Sequence, residues 1–506
     1  MDPEKGQKMK NLKKIMALVI AMVMMVAMST SVFAETKITI NRDSSWKPTA
    51  ELQTGESNQA TYTYYKIFDA AITDQGTVNA KTGATTGGVA VYTISGTDAA
   101  AKVAALPSDI FEAKLAADSK YYITMKSTYT GGAAGIVTAL KTMVAANTTL
   151  FPGTAVTSNE NPVVITPGGD GYYLIEASNG KDLAVQSIGE VTINEKNDYP
   201  TIDKKQKQAD DTEYHDTVEP AEIGSYIDYQ VTVHIPADAN KQIAVIDKMS
   251  AGLEYDSTTS LTLSPNVAYA ALTSEDAGYD STITSTNGWQ IKLEKSVVEA
   301  NRNRDIVITF RAKVTSAALS DTSKENEVTL NYDNNNYILK DKVNYETYFA
   351  GIYKVDPNDA NADMSGVKFT LTDKNDRAVN VTYDSTNGYY VVGGTSNEVE
   401  TRADGSNYTI KIRGLDNELE KYKLTETVTK AGYNLLETPA ELTLTKDEGD
   451  AFSGKVANTY DRVENNKGSV LPSTGGIGTT IFYVIGAILV LGAGILLVSK
   501  RRMSAN

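Results

Sequence analysis

The chain reads as mainly β, a series of antiparallel β-sandwiches, on two observations. The first is alternation. Ile227, Tyr229, Val231, Val233 and Ile235 are interleaved with Asp228, Gln230, Thr232 and His234, the period-two pattern of a strand buried on one face. The same pattern runs through Ile306, Ile308, Phe310, Ala312 and Val314, and through Val367, Phe369 and Leu371. The second is length. The two termini carry special segments, and the roughly 435 residues between them suit about three domains. With 41% hydrophobic residues, each can build a core.

Residues 1–34 read as a secretory signal peptide. From Met9 on, Lys10, Lys13 and Lys14 form a positive region, Ile15 to Ala27 an apolar one, and Val32-Phe33-Ala34 a cleavage site. The mature chain then starts at Glu35. Residues 35–198 form an N-terminal domain with strands such as Tyr62 to Phe68 and Gly171 to Ile175. Its Ala-rich stretches, Ala99 to Asp118 and Ala133 to Ala146, predict added short helices. Tyr199-Pro200 and the polar 203–211 stretch open a middle sandwich, residues 199–345, and Asn344 to Gly351 mark the start of a C-terminal one, residues 346–460. Residues 461–476 are mostly polar and read as a flexible stalk that ends in a short motif.

Composition narrows the function. A net charge of −15 argues against nucleic acid as a partner and suits an exposed, soluble surface. With no cysteine and only His215 and His234, neither a Cys/His dyad nor a zinc cluster is expected, and no cofactor or metal is assigned. The oxygen-rich loop Asp356, Asn358, Asp359, Asn361 and Asp363 lacks the spacing of a calcium-binding EF-hand and reads as a solvated turn. An exported chain without disulfides needs another source of durability.

At the C-terminus Leu471, Pro472, Ser473, Thr474 and Gly475 precede an uncharged run, Ile477 to Val498, and then Lys500, Arg501 and Arg502. At about 1.5 Å per residue, that run spans the roughly 30 Å core of a bilayer as a helix, residues 477–498. The basic tail, residues 499–506, belongs on the cytoplasmic side. The whole resembles the LPxTG sorting signal of Gram-positive surface proteins. The resemblance implies cleavage between Thr474 and Gly475 by a sortase and final attachment to peptidoglycan.

Tyr422-Lys423-Leu424-Thr425-Glu426-Thr427, followed by Gly432-Tyr433, resembles the E-box of pilins and of collagen-adhesin B-type repeats. It departs from that pattern at Thr429-Lys430, where the family has Ala-Pro. Gly351-Ile352-Tyr353-Lys354-Val355-Asp356 resembles the first strand of that fold and Val456-Ala457-Asn458 its last. The resemblance implies an immunoglobulin-like sandwich with a Lys354–Asn458 isopeptide bond promoted by Glu426. The middle domain resembles a fimbrial isopeptide-forming domain in Tyr199-Pro200-Thr201-Ile202-Asp203-Lys204, in Val245-Ile246-Asp247-Lys248 and around Asn326. It implies a Lys204–Asn326 bond promoted by Asp247, with Lys205 as the lysine that a one-residue change of register would select.

The chemistry accounts for these residue types. A lysine attacks a carboxamide only as the neutral amine, and burial lowers its pKa while raising that of a carboxyl. The acid then polarises the amide and hands a proton to the leaving ammonia. Held in place, the pair needs one slow turnover.

Val191-Thr192-Ile193-Asn194-Glu195-Lys196-Asn197 matches the pilin motif of sortase-built fibres at both hydrophobic positions, the lysine and the asparagine, but lacks its Tyr-Pro. Taken together, the chain resembles a major (backbone) pilin of a Gram-positive pilus. This implies a secreted, wall-anchored shaft subunit joined from Thr474 to Lys196 of an identical neighbour by a pilin-specific sortase. A housekeeping sortase then fixes the fibre to peptidoglycan, with tip or base pilins and a host receptor as further partners. The protein is then no enzyme beyond its single-turnover intramolecular reactions. The alternative is a monomeric wall-anchored adhesin with the same internal bonds. Lys66, in Tyr64-Tyr65-Lys66-Ile67, is the residue to inspect for a bond in the N-terminal domain.

Overall fold

The computed structural model describes residues 36–503 apart from 43–45, 47–51, 75–76, 79–84, 87–88, 179–181, 188, 196–197, 209–210, 418–421, 449–459 and 469–476. The signal peptide, Lys196, Asn458 and the Leu471 to Gly475 motif lie outside the described residues. The chain divides into two compact units, Met1–Thr347 with Asp447–Gly449, and Tyr348–Lys446 with Asp450–Asn506.

The N-terminal part of the first unit has two sheets. One joins Lys37–Asn41 to Val163–Ile165 on one side and Glu190–Asn194 on the other. The larger is centred on the long Ala60–Asp74 strand, flanked by Gly171–Ala177 and Val89–Ile94. A helix at Gly132–Ala146 covers this sheet's core through Ile136, Leu140, Met143 and Val144. The helix expected over Ala99 to Asp118 is corrected: it spans only Ala99–Ala105, and Phe111–Leu115 is a strand. Pro107 explains the break. It cannot continue a helix and biases Leu106 to extended backbone, which Leu106 adopts at ψ 143°.

The middle part is a two-sheet sandwich. One sheet runs Thr201–Gln208, Tyr226–Ile235, Arg304–Val314, Leu253–Tyr255; the other includes Tyr337–Glu346, Glu325–Tyr332, Ile243–Met249 and Gly288–Leu293. The alternation in the sequence is obeyed: Ile227, Tyr229, Val231, Val233, Ile306 and Ile308 are fully buried. The inner faces therefore form a dry interior.

The second unit is also a sandwich. Tyr348–Val355 pairs antiparallel with Asn407–Leu415 and parallel with Asp461–Glu464, while Lys368–Thr372 and Lys423–Val428 lie in the facing sheet. The expected domain end at 460 and stalk from 461 are corrected here. Asp461–Glu464 is a strand of the sandwich, and Asn434 N–H and Gly468 N–H bond to the carbonyls of Asn466 and Gly432. The domain thus continues to at least 468. A 27-residue helix, Ile477–Met503, follows. Its Thr480–Met503 segment contains an 18-residue stretch with a mean hydropathy of 2.8 and is long and apolar enough to cross a membrane.

Candidate functional sites

Lysine is rarely buried, because its ammonium loses hydration that a protein interior cannot replace. Among the described residues two lysines are buried, Lys204 and Lys354, each 1% exposed. Both were singled out by the sequence: Lys354 meets an asparagine that is bonded to an acid, and Lys204 meets an acid that has an asparagine beside it.

Lys204 lies in the Thr201–Gln208 strand, where the burial alternates so that Lys204 and Gln206 point inward. Lys205 points out, with 40% of its side chain exposed, beside Asp203 at 3.6 Å. The register of the strand therefore selects Lys204. Its Nζ donates to Asp247 Oδ2 in a pair with no side-chain exposure on either partner. The rings of Tyr229 and Phe310 stand 5.2 and 5.0 Å from the nitrogen. Its backbone N–H donates to Asp341 at 2.6 Å.

Asp247 sits opposite Val328, two pairing steps from the Met249–Asn326 pair, so its carboxyl and the Asn326 carboxamide are diagonal neighbours on one face. Asn326 is fully buried. Neither its Oδ1 nor its Nδ2 makes a hydrogen bond of ordinary geometry, although the amide is close enough to favour the charged form of Asp247. Burial pushes the Asp247 carboxyl up to about 6 against the pull of Lys204, and it lowers the Lys204 amine below its usual range. Both shifts favour the neutral amine and protonated acid that amide formation requires.

Lys354 lies in the Tyr348–Val355 strand, opposite Val463 of the parallel Asp461–Glu464 strand. The next residues of that segment carry Asn465, whose N–H bonds to the Val355 carbonyl at 3.0 Å. Lys354 Nζ donates to Asn465 Oδ1. Asn465 Nδ2 donates to Glu426 Oε1 and Thr429 Oγ1, both at 2.7 Å, and Glu426 Oε2 accepts from the Leu436 N–H at 2.9 Å. Asn465 is 1% and Glu426 6% exposed. Burial lowers the Lys354 amine from 10.5 to about 8, with Glu426 opposing the shift.

Among the described residues the side chain set against Lys354 is Asn465; the expected Asn458 lies outside them. Sequence reasoning stopped at Val456-Ala457-Asn458 because that triplet looked like a closing strand. The signal that could have found Asn465 is the Val463-Glu464-Asn465 triplet, whose valine precedes the asparagine by the same two residues. Thr429 was also missed. It occupies one of the two positions that depart from the family pattern, and its hydroxyl receives the amide nitrogen. The other, Lys430, pairs with Asp363 at 2.7 Å.

Other expectations find plain outcomes. Lys66 pairs with Asp69 at 2.8 Å, and 34% of its side chain is exposed. In the acidic loop, Asp356 accepts from Tyr433 at 2.8 Å and pairs with Lys467 at 3.3 Å; lysines and a tyrosine occupy its carboxylates. Asp211, His215 and Glu219 are the one grouping of metal-type donors among the described residues. His215 Nε2 lies 2.8 Å from Glu219 Oε2, within hydrogen-bonding distance.

Comparison with protein families matches residues 463–504 to the LPXTG cell wall anchor motif and residues 350–458 to the SpaA prealbumin-like fold domain. A comparison with curated protein sequences returns no match. Among solved structures the chain is similar to the major pilin SpaA of Corynebacterium diphtheriae at 13% identity, over 85% of this chain and 100% of that one, with a TM-score of 0.44. It is similar to the major pilin SpaD of the same organism at 17% identity, over 87% and 100%, with a TM-score of 0.43. The T6 backbone pilin of Streptococcus pyogenes matches at 15% identity, over 82% and 81%, with a TM-score of 0.44. The chain thus carries an LPXTG cell wall anchor motif at its C-terminal end and a SpaA prealbumin-like fold domain ahead of it.

Proposed function

We propose that the protein is the shaft subunit of a covalent pilus, stabilised by two self-formed Lys–Asn isopeptide bonds. The observation that carries this reading is the burial of Lys204 against Asp247, with Asn326 beside that acid, and of Lys354 against Asn465, which is bonded to Glu426. An ammonium in such a place costs more than its neighbours return unless it is paired or consumed.

In the C-terminal site the neutral Lys354 amine attacks Cγ of Asn465. The N–Cγ bond forms, the Cγ–Nδ2 bond breaks, and Glu426 moves the proton from the attacking nitrogen to the departing one, so the products are an amide and ammonia. Glu426 Oε1 already touches Nδ2, the leaving atom, which suits a general acid at that position. In the middle site Asp247 carries the proton for Lys204 and Asn326. No proton is gained or lost overall, and one turnover is enough because the partners are held together.

Polymerisation uses a different lysine. A pilin-specific sortase cuts after Thr474 and Lys196 of the next subunit takes the acyl group. The same heterologous contact then repeats, which builds an open filament and not a closed ring. A housekeeping sortase joins the last subunit to peptidoglycan. The test is the detergent-resistant ladder from cells. Lys196→Ala is expected to abolish it; a ladder that survives would remove Lys196, and a wild-type chain without any ladder would make the protein a monomeric wall-anchored adhesin.

A further inference from the structure

A lysine amine stands on a long, flexible stem, so holding it at one point requires the backbone that carries it to be fixed as well. A central strand is fixed by ladders on both edges. Thr201–Gln208 is not central: it pairs with Tyr226–Ile235 along one edge, and among the described residues its other edge meets only the Gln206–His215 bridge. Lys204 is nevertheless 1% exposed. A backbone N–H in such a place needs an acceptor.

The acceptor comes from the other sheet. Tyr337–Glu346 pairs on one side with Glu325–Tyr332. On its other side Ser57–Asn58 reaches residues 337 and 338, and Glu219–Pro220 reaches 345 and 346. Between them, at residues 339–344, no described strand pairs with that edge. Two side chains stitch this gap to the lysine strand. Asp341 Oδ2 accepts the Lys204 N–H at 2.6 Å. Gln206 Nε2 donates to the Asn344 carbonyl at 2.6 Å and to the Thr217 carbonyl at 2.9 Å, and Gln206 is fully buried.

Register places Asp341 with the reacting groups. Val328 lies opposite Asp247 on one side and opposite Asp341 on the other, and Asn326 is two residues along the same strand. The two acids therefore flank the Asn326 strand, each a diagonal neighbour of Asn326 on one face. They hold the two ends of one residue: Asp247 takes the Lys204 Nζ and Asp341 takes its backbone N–H. The charge of each acid favours the ammonium over the neutral amine. What Asp341 offers the reaction is therefore its bond and not its charge.

We infer that Asp341 is a positioning residue for the Lys204–Asn326 reaction. By accepting the backbone N–H of the attacking lysine, it supplies the ladder bond that an edge strand lacks. It thereby fixes where the lysine strand docks and where the amine stands relative to Asn326. The inference rests on the middle cross-link proposed above.

The test follows cross-linking in newly synthesised full-length chains by pulse labelling, with the middle and C-terminal cross-linked peptides quantified separately by mass. Asp341→Ala removes the acceptor and should slow the middle bond by roughly tenfold, leaving the C-terminal bond at its wild-type rate. Asp341→Asn keeps an oxygen that accepts the N–H and removes the charge, so it should restore most of the rate. Asp341→Val, which suits a strand, takes the place of alanine if that variant misfolds. Hydrogen exchange in Asn326→Ala chains, which cannot react, separates docking from folding. There Asp341→Ala should speed exchange in Thr201–Gln208 and leave Ile243–Met249 protected. A middle bond that forms at the wild-type rate in Asp341→Ala, or an Asp341→Asn chain as slow as Asp341→Ala, would overturn the inference. A wild-type chain that never acquires the middle cross-link would overturn instead the reading on which it rests.

Discussion

The middle and C-terminal sites hold the same three residue types in different surroundings. Around Lys204 the walls are aromatic rings, the acid is an aspartate paired directly with the amine, and the Asn326 amide makes no hydrogen bond of ordinary geometry. Around Lys354 the amide lies between amine and acid, and all its polar atoms are engaged: Oδ1 by Lys354, Nδ2 by Glu426 and Thr429. In the proposed reaction the middle site relies on burial, which penalises both charges. The C-terminal site relies on orientation, because the amide nitrogen is already on the acid.

The largest expected effect is on mass. The mature chain should be lighter than its sequence by two molecules of ammonia. Lys354→Ala or Asn465→Ala should restore one and Asn326→Ala the other, while Asn458→Ala should restore none. A deficit that disappears with Asn458→Ala would reverse the assignment of the C-terminal partner.

Next comes stability. Each proposed bond would close a loop of more than 100 residues and, by analogy with disulfides, contribute about 4–5 kcal/mol through the unfolded chain. Asp247→Asn and Glu426→Gln should therefore each lower the thermal midpoint measured by calorimetry. The middle substitution is expected to cost more, because it leaves Lys204 in a dry interior without its counter-charge.

The third effect is a pair of opposite pH slopes in chains that cannot cross-link. In Asn326→Ala the folded Asp247 holds its proton to about pH 6 and the unfolded one to 3.8. The folded state then binds more protons in that window, so stability should fall as pH rises through it. In Asn465→Ala the folded Lys354 loses its proton near pH 8 and the unfolded one near 10.5, so stability should rise across that interval. Urea midpoints against pH would show both; slopes of the same sign would remove the contrast between the sites.

The smallest effect belongs to Thr429. Thr429→Val keeps the shape but removes the acceptor for Asn465 Nδ2. It should slow formation of the C-terminal bond several-fold in a time course followed by mass, and leave the middle bond unchanged. An equal rate would mean that Glu426 alone orients the amide.

Strand alternation, the sorting motif and the apolar helix were legible because each depends on local spacing, whereas Lys204, Asn326, Lys354 and the two acids were singled out by motif resemblance, and the structure finds all five buried. A period of two tells which residues face inward, whatever those residues later meet. The sequence by itself therefore determined that these lysines face inward in β-strands of a chain that ends in a cell wall anchor motif.

What meets a buried lysine depends on which strand returns beside it after more than 100 residues, and that only the tertiary structure decided. The parallel pairing of Asp461–Glu464 with Tyr348–Val355 carries the chain past 458 and brings Asn465 to Lys354. It also ties Asn466 and Gly468 to the 432–434 segment, so that a stretch polar enough to read as stalk is part of the domain. Backbone hydrogen bonds build that closing strand, and they are available to any residue but proline. Local composition therefore gave little sign of it.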